Sequence, residues 1–395
     1  MKVIYYSKSY FADCDFPLIR ALQDKGVDVR YYMPLSRNFL RDNLIELDEP
    51  AHGCRFVKAS KIKGFSKYSE CIDLDRLYLI YGYPQKKFWP LTWIVWIYAV
   101  LHMLLQHPDI IHIDWPLKTC FEKLIYLIPW KAKKIVTVHD PVAHSGNYSS
   151  KDERERLRLF NWADELVLLN NKQENEFCTT YNITSNKIHF STLGVYNSIS
   201  KLKINNDYQI PKGKYILFFG YINKYKGLEY LLDAMIKVHE KCEDLTLVVA
   251  GGGNLYFDST PFMKLDYVEW RNRYITNGEL SALLKGCMFA VCPYTDATQS
   301  GVIQTAYSFN VPVIASNVGA LADTVEDNIT GMLVPACDSN ELARSILKLY
   351  SSPNILEDMR RNIETQWLPK MSWSPIARQY INIYKDALCI NEYIQ

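Results

Sequence analysis

Short apolar runs, rich in β-branched and aromatic residues, alternate along the first half of the chain with stretches of helical period. Lys2–Ser7 (KVIYYS), Val27–Met33 (VDVRYYM), Arg55–Ala59, Asp109–Asp114 (DIIHID), Lys134–His139 (KIVTVH), Glu165–Asn170 (ELVLLN) and Lys187–Ser191 read as strands, with a helix around Pro17–Asp24 between the first two. Strand, helix, strand in repetition predicts a parallel sheet covered by helices on both faces. Near Ser198–Gly213 the periodicity lapses into polar and turn-forming residues, the pattern of an interdomain linker. A second series follows. Tyr215–Gly220 (YILFFG), Leu245–Ala250 (LTLVVA), Phe289–Pro293 (FAVCP) and Val311–Ser316 (VPVIAS) read as strands, separated by helices near Leu228–His239, Asn277–Leu284, Val302–Phe309 and Ser339–Tyr350. The expected class is therefore α/β, with two doubly wound parallel-sheet domains. They occupy residues 1–205 and 206–375, and a C-terminal helix over 376–395 is expected to pack back toward the first. Ligand is expected at the carboxyl ends of the strands.

One run needs separate treatment. Phe88–Leu105, FWPLTWIVWIYAVLHMLL, approaches the length of a membrane span. It contains Pro90 and His102 and runs straight into a strand pattern, so it reads as a long helix packed on the first domain, with Trp89, Trp93 and Trp96 dipping into a lipid interface. Charge adds to this picture: the net +2 of the chain divides into +6 for residues 1–205 and −4 for 206–395. A basic lobe suits peripheral contact with an anionic membrane face; no nucleic-acid partner is expected.

Composition changes little else. The 395 residues exceed what one hydrophobic core supports, and 48% hydrophobic with 22% charged residues is an ordinary globular balance. Ten cysteines would imply disulfides in a secreted chain, but the N-terminus MKVIYYSKSYFADCDF lacks the apolar core of a signal peptide; reduced thiols in the cytoplasm are expected.

Candidate chemistry sits at predicted strand ends. In Phe218–Gly227 (FFGYINKYKG), Gly220 and Gly227 permit tight turns, while Lys224 and Lys226 place positive charge beside a helix N-terminus that already favours an anion. The loop reads as a diphosphate site or as a solvated basic loop. In Ala297–Ala306 (ATQSGVIQTA), small and hydroxyl residues lead into Gly301 at a helix start, a backbone nest in which the N–H groups of Ser300, Gly301 and Val302 approach a phosphate closely. Ser300 reads equally as an N-cap. His107, His112, His139 and His144 with Asp114 and Asp140 lack zinc spacing, and no metal is expected. Asp13-Cys14-Asp15 and Asp73-Leu74-Asp75 match a short DxD pattern, and Asp73–Ile80 reads as a helix start.

Taken together, the motifs over about residues 215–350 resemble those of the family 4 (group 1) retaining glycosyltransferases, which have the GT-B fold of two Rossmann-like domains facing across a cleft. The family's G-R-x-x-x-x-K-G loop, E-x-x-G-x-x-x-x-E motif and P-V-I-A-x-x-x-G segment stand here as Gly220–Gly227, Thr298–Thr305 and Pro312–Gly319, with Asn272–Ile275 (NRYI) and Asn328–Val334 also in place. Three charged positions depart: Tyr221 replaces the loop arginine, and Thr298 and Thr305 replace both glutamates, with shorter reach and no charge. This is the pattern of a less common branch of the family. In the first domain the resemblance is weaker. The glycine-rich loop after the first strand is missing, and His139 in Val138–Gly146 (VHDPVAHSG) matches the family's cleft histidine.

The resemblance implies transfer of a sugar from a nucleotide-sugar donor to a glycan or lipid-linked acceptor, in cell-surface polysaccharide biosynthesis. It implies no cofactor and no metal, since the nucleotide sugar is a substrate and Lys226 stabilises the departing diphosphate. His139 would contact the sugar, while Gly220, Tyr221, Lys224, Asn272, Arg273, Thr298, Gln299, Ser300, Gly301, Val302 and Thr305 would line the donor site. An epimerase or hydrolase of the same fold, or an inert nucleotide-sugar binder, are the alternatives. A dinucleotide dehydrogenase is disfavoured because neither first strand is followed by GxGxxG.

Overall fold

The computed structural model describes the chain apart from residues 51, 84–88, 140, 142–148, 170, 172, 203–207, 298–300, 320 and 391–395. The chain divides into two units: residues 1–194 with 373–395, and residues 195–372. The sequence pattern instead placed its divisions at 205 and 375.

In the first unit the strands are β1 (Lys2–Tyr6), β2 (Asp28–Ser36), a two-stranded ribbon of β3 (Arg41–Asp42) and β4 (Ile45–Glu46), β5 (Arg55–Lys58), β6 (Leu77–Gly82), β7 (Ile110–Ile113), β8 (Lys133–Val138), β9 (Glu165–Leu168) and β10 (Ile188–Phe190). Apart from the ribbon they form one sheet in the order β10-β9-β8-β7-β1-β2-β6-β5, parallel except where β5 runs antiparallel to β6. Every residue of β6 and β7 is buried, as expected of strands covered on both faces. The order reverses between β1 and β7, which opens a crevice at their carboxyl ends. The helix Trp373–Ala387 belongs to this unit, and its Tyr384 hydroxyl lies 2.6 Å from Nδ1 of His112 on β7.

The second unit holds β11 (Lys214–Phe219), β12 (Leu245–Ala250), β13 (Val268–Arg271), β14 (Ala290–Cys292), β15 (Val313–Ser316) and β16 (Gly331–Val334), all parallel, in the order β13-β12-β11-β14-β15-β16. Here the reversal falls between β11 and β14. Helices Leu228–His239 and Ser339–Ser351 bury their apolar faces in one cluster with these strands.

Three expectations change. Asp73–Ile80 is not a helix start: Asp75 N–H bonds to Asp73 Oδ1 in a turn, and Leu77–Gly82 forms β6, because LYLIYG buries side chains on both faces and so hides the strand's alternation. Val268–Arg271 and Gly331–Val334 are strands that the pattern left unassigned. The apolar run does form a helix, Pro90–Leu105, packed against β6. Trp96, however, is buried and Trp93 stacks edge-on to Phe121 at 4.8 Å, so these two face the protein. Helical period decides this: 92, 96, 99, 100 and 103 form the inward face.

Candidate functional site

The turn after β11 is built around one lysine. A short 3₁₀ helix, Lys224–Lys226, ends on Gly227 at φ +61°, where a Cβ would lie 2.0 Å from the Pro293 carbonyl oxygen. Only glycine fits both the left-handed backbone and that approach. Thr295 N–H donates to the Tyr225 carbonyl at 2.8 Å, tying the turn to the segment after β14. The result sends Lys226 inward. Its side chain is 6% exposed, its ammonium lies 5.5 Å from the Tyr294 ring centre, and a Cβ on Gly220 (φ +98°) would meet Lys226 Nζ at 2.7 Å and Val302 Cγ2 at 3.4 Å. Gly220, Lys226 and Val302 therefore converge at the point where strand order reverses.

Among the described residues no carboxylate comes within 4 Å of Lys226. Burial lowers its pKa to about 8, with only the neighbouring Cys292 thiol opposing the shift. Burying a cation with no counter-ion among the described residues costs free energy that a neighbouring anion would offset. We expect Gly227→Ala to cost about 3 kcal/mol in denaturant unfolding, because the new methyl overlaps backbone rather than a side chain that could move.

The other donor residues fall into groups. Lys224 and Tyr221 are exposed, Tyr221 at 65%. Asn272 Oδ1 accepts from Gly253 N–H at 3.1 Å, so it fixes the glycine turn after β12. Arg273 is committed to Glu279 by two bonds of 2.7 Å. Both line an open hollow of about 660 Å³ with Trp270 and Arg271. Thr305 is buried and its hydroxyl donates to the Gly301 carbonyl at 2.8 Å, so its proton is already used within its helix. A Cβ on Gly301 would meet the Tyr196 ring at 2.7 Å, so packing is a second reason for that glycine. Thr298, Gln299 and Ser300 lie outside the described residues.

In the first unit, His139 follows β8 and stacks on Phe11 with ring centres 4.0 Å apart, its Nε2 3.7 Å from Asp114 Oδ2. Asp114, just after β7, is the centre of a buried network. Its Oδ1 lies 3.2 Å from His112 Nε2, and its Oδ2 accepts from the Tyr5 hydroxyl at 2.6 Å. The Tyr5 hydroxyl also lies 3.4 Å from Asp15 Oδ1, and Tyr31 donates to Asp15 Oδ2 at 2.7 Å. Both carboxyls are buried, and they titrate apart. Burial, then the charge of Asp114, pushes Asp15 well above the usual carboxylate value, which favours its protonated form. Burial also opposes ionisation of Asp114, but hydrogen bonding and charge from His112 and His139 hold it well below that range. A cavity of about 10 Å³ borders Asp15, Asp114 and His139, far too small for a sugar. The network holds His139 in place rather than enclosing a sugar.

Sequence reading missed this anchor. The signal was present: His112 and Asp114 are polar residues in an apolar run whose neighbours are all buried, and buried polar groups need partners. Among the described residues no cluster of three or more His, Cys, Asp or Glu side chains suits a metal ion.

Residues 17–195 match the family described as Glycosyltransferase Family 4, and residues 213–352 match that described as Glycosyl transferases group 1. The chain belongs to the family 4 glycosyltransferases. An uncharacterized glycosyltransferase of Methanocaldococcus jannaschii is 26% identical over 249 residues, 57% of this chain and 60% of that protein. The phosphatidyl-myo-inositol mannosyltransferase of Mycobacterium leprae is 25% identical over 185 residues, 46% of this chain and 49% of that one. The matched stretches thus span about half the length of these relatives, or slightly more. Among solved structures, HepE of Anabaena in complex with UDP superposes with a TM-score of 0.63 at 14% identity, over 98% of this chain and 100% of that one. The two α/β units are those of a GT-B glycosyltransferase fold.

Proposed function

We propose that the protein is a retaining glycosyltransferase that moves a hexose or related sugar from a nucleoside-diphosphate donor to a glycan or lipid-linked acceptor in polysaccharide biosynthesis. The observation that carries the donor site is Lys226, buried beside Gly220 at the reversal of strand order with no carboxylate within 4 Å among the described residues. In the family 4 pattern this lysine is the one charged donor residue the chain retains.

As the bond from the sugar to the diphosphate breaks, negative charge grows on the leaving oxygens. Lys226 stabilises it from a site whose low dielectric strengthens the interaction, and Val302 N–H and its neighbours at the helix start assist. The acceptor hydroxyl attacks from the face the diphosphate leaves, so no protein nucleophile is needed. His139, fixed between Phe11 and Asp114, positions the sugar. A metal has no task left in this scheme. Support for a nucleotide donor comes from HepE, solved with UDP, and from the mannosyltransferase among the relatives.

The test is thermal stabilisation by UDP, GDP, ADP and dTDP sugars after EDTA treatment, followed by transfer assays on lipid-linked acceptors. One nucleotide should raise the melting temperature, and turnover should survive EDTA. Stabilisation without turnover on any acceptor would favour an inert binder, and a requirement for Mg²⁺ or Mn²⁺ would overturn the metal-free mechanism.

A further inference from the structure

The helix Pro90–Leu105 packs one face into the first unit through Thr92, Trp96, Ala99, Val100 and Met103. Its other face carries Leu91, Ile94, Tyr98, Leu101 and Leu105, each between 48% and 69% exposed, at successive intervals of three or four residues. That spacing is one continuous stripe along 16 residues, with Ile97 beside it. The helix contains no charged residue. Leu127, 75% exposed, lies on the adjoining short helix Leu124–Leu127. Apolar surface in a contiguous strip of this kind marks an interaction site, where scattered exposed leucines would not.

We propose that this strip docks the protein on an anionic lipid surface. Charge selects that occupant. Residues 76–108, which include the whole helix, contain no Asp or Glu. Exposed Arg55 and Lys58 lie on β5, whose Phe56 meets Tyr98 edge-on at 5.5 Å, and exposed Lys131 follows Leu127 in the chain. Among the described residues Lys58 pairs with the exposed Asp75 alone, at 4.0 Å. A second copy meeting the first through the same strip would bring these cations together, whereas anionic headgroups would neutralise them. Trp89 and Tyr98, aromatic residues with partly exposed rings, suit the level of the headgroups.

Geometry makes the helix lie in the surface and not through it. At about 1.5 Å per residue it is roughly 24 Å long, short of the hydrocarbon thickness, and its inward face is already committed to the core. Among the described residues no helix is long and apolar enough to cross a membrane. This inference concerns the first unit's surface and does not depend on the donor site.

The experiment uses the purified full chain and vesicles of phosphatidylcholine alone or mixed with phosphatidylglycerol, read by flotation, with light scattering in parallel. The wild type should float with the mixed vesicles, less so as salt rises. Ile94→Gln with Leu101→Gln should lower that partition by about tenfold or more, since two half-exposed side chains lose their apolar transfer energy. Both positions are exposed, so an unchanged melting curve should accompany the loss. Ile236→Gln, an exposed apolar position in the second unit, should float as the wild type does. The proposal is overturned if the wild type ignores the mixed vesicles, or if the double variant floats equally well. It is also overturned if light scattering finds a wild-type dimer that the double variant dissociates.

Discussion

Replacing Lys226 by Met lowers turnover by about 10²-fold or more and at the same time raises the melting temperature at neutral pH. The loss of turnover is the usual scale for removing one preorganised group that stabilises developing charge. The gain in stability follows from burial. The folded protein holds the Lys226 pKa at about 8 against the ordinary 10.5, so folding at neutral pH places a charge where it is poorly solvated. That displacement corresponds to roughly 3 kcal/mol, because the side chain is only 6% exposed and little screened. Methionine has nearly the same length and no charge. A rise of several degrees is expected for the second unit.

The sign of the pH dependence follows. Below about pH 8 the ammonium is charged in both folded and unfolded chains, and the penalty is complete. Between about 8 and 10.5 the unfolded chain holds more protons, so stability rises with pH, and Lys226→Met removes this slope. Nucleoside-diphosphate affinity should move the opposite way, falling above about pH 8 as the cation is lost. Lys224→Ala, at an exposed position, should cost far less turnover than Lys226→Ala. Steady-state kinetics with calorimetric melting on both variants checks the whole set; near-normal turnover in Lys226→Met would remove the lysine from the mechanism.

The second large effect is an asymmetry between two buried carboxyls that share the Tyr5 hydroxyl. Asp114→Asn should destabilise the protein by about 3–5 kcal/mol, the cost of removing one partner from a buried ionic network, because His112 and His139 lose their anion. Asp15→Asn should stay within about 1 kcal/mol of the wild type at neutral pH. The asparagine amide reproduces the hydrogen-bonding pattern of a protonated acid, accepting from Tyr31 and donating toward Asp114. Their pH signatures differ as well. Asp15, raised by burial, contributes stability that is full below the ordinary carboxylate pKa and is lost as pH rises through its folded value. Asp114, held low by the two histidines, contributes stability that is present above that ordinary value and is lost in acid. Asp15→Asn should flatten the first dependence and leave the second. Urea unfolding of both variants from pH 4 to 9 measures this, and equal destabilisation would show that the two carboxyls are not divided into acid and anion.

Among the charged groups of the donor motif, only Lys226 combines deep burial with a place beside the reversal of strand order. Arg273 stood among the donor-lining residues that the resemblance implied, yet its guanidinium is spent on Glu279, and Thr305 spends its hydroxyl proton on its own helix. Such commitments depend on which side chains become neighbours. Spacing along the chain cannot report them.

The sequence by itself determined the alternation of strand and helix, the division into two α/β units, and the run of motifs from Gly220 to Gly319, because these depend on local periodicity and on residues a few positions apart. It also marked the Pro90–Leu105 helix, through its length and apolar content. Tertiary structure decided the rest. It turned Trp96 inward and Ile94 outward, since the face a helix buries is set by the sheet it meets. It made β6 a strand where Asp73–Ile80 read as a helix start, since a strand buried on both faces shows no alternation to read. Above all it brought Asp15, Asp114, His112 and Tyr384 together from positions up to 369 residues apart in the chain. It also enclosed Lys226, so that one of two loop lysines two positions apart is buried while Lys224 stayed in water.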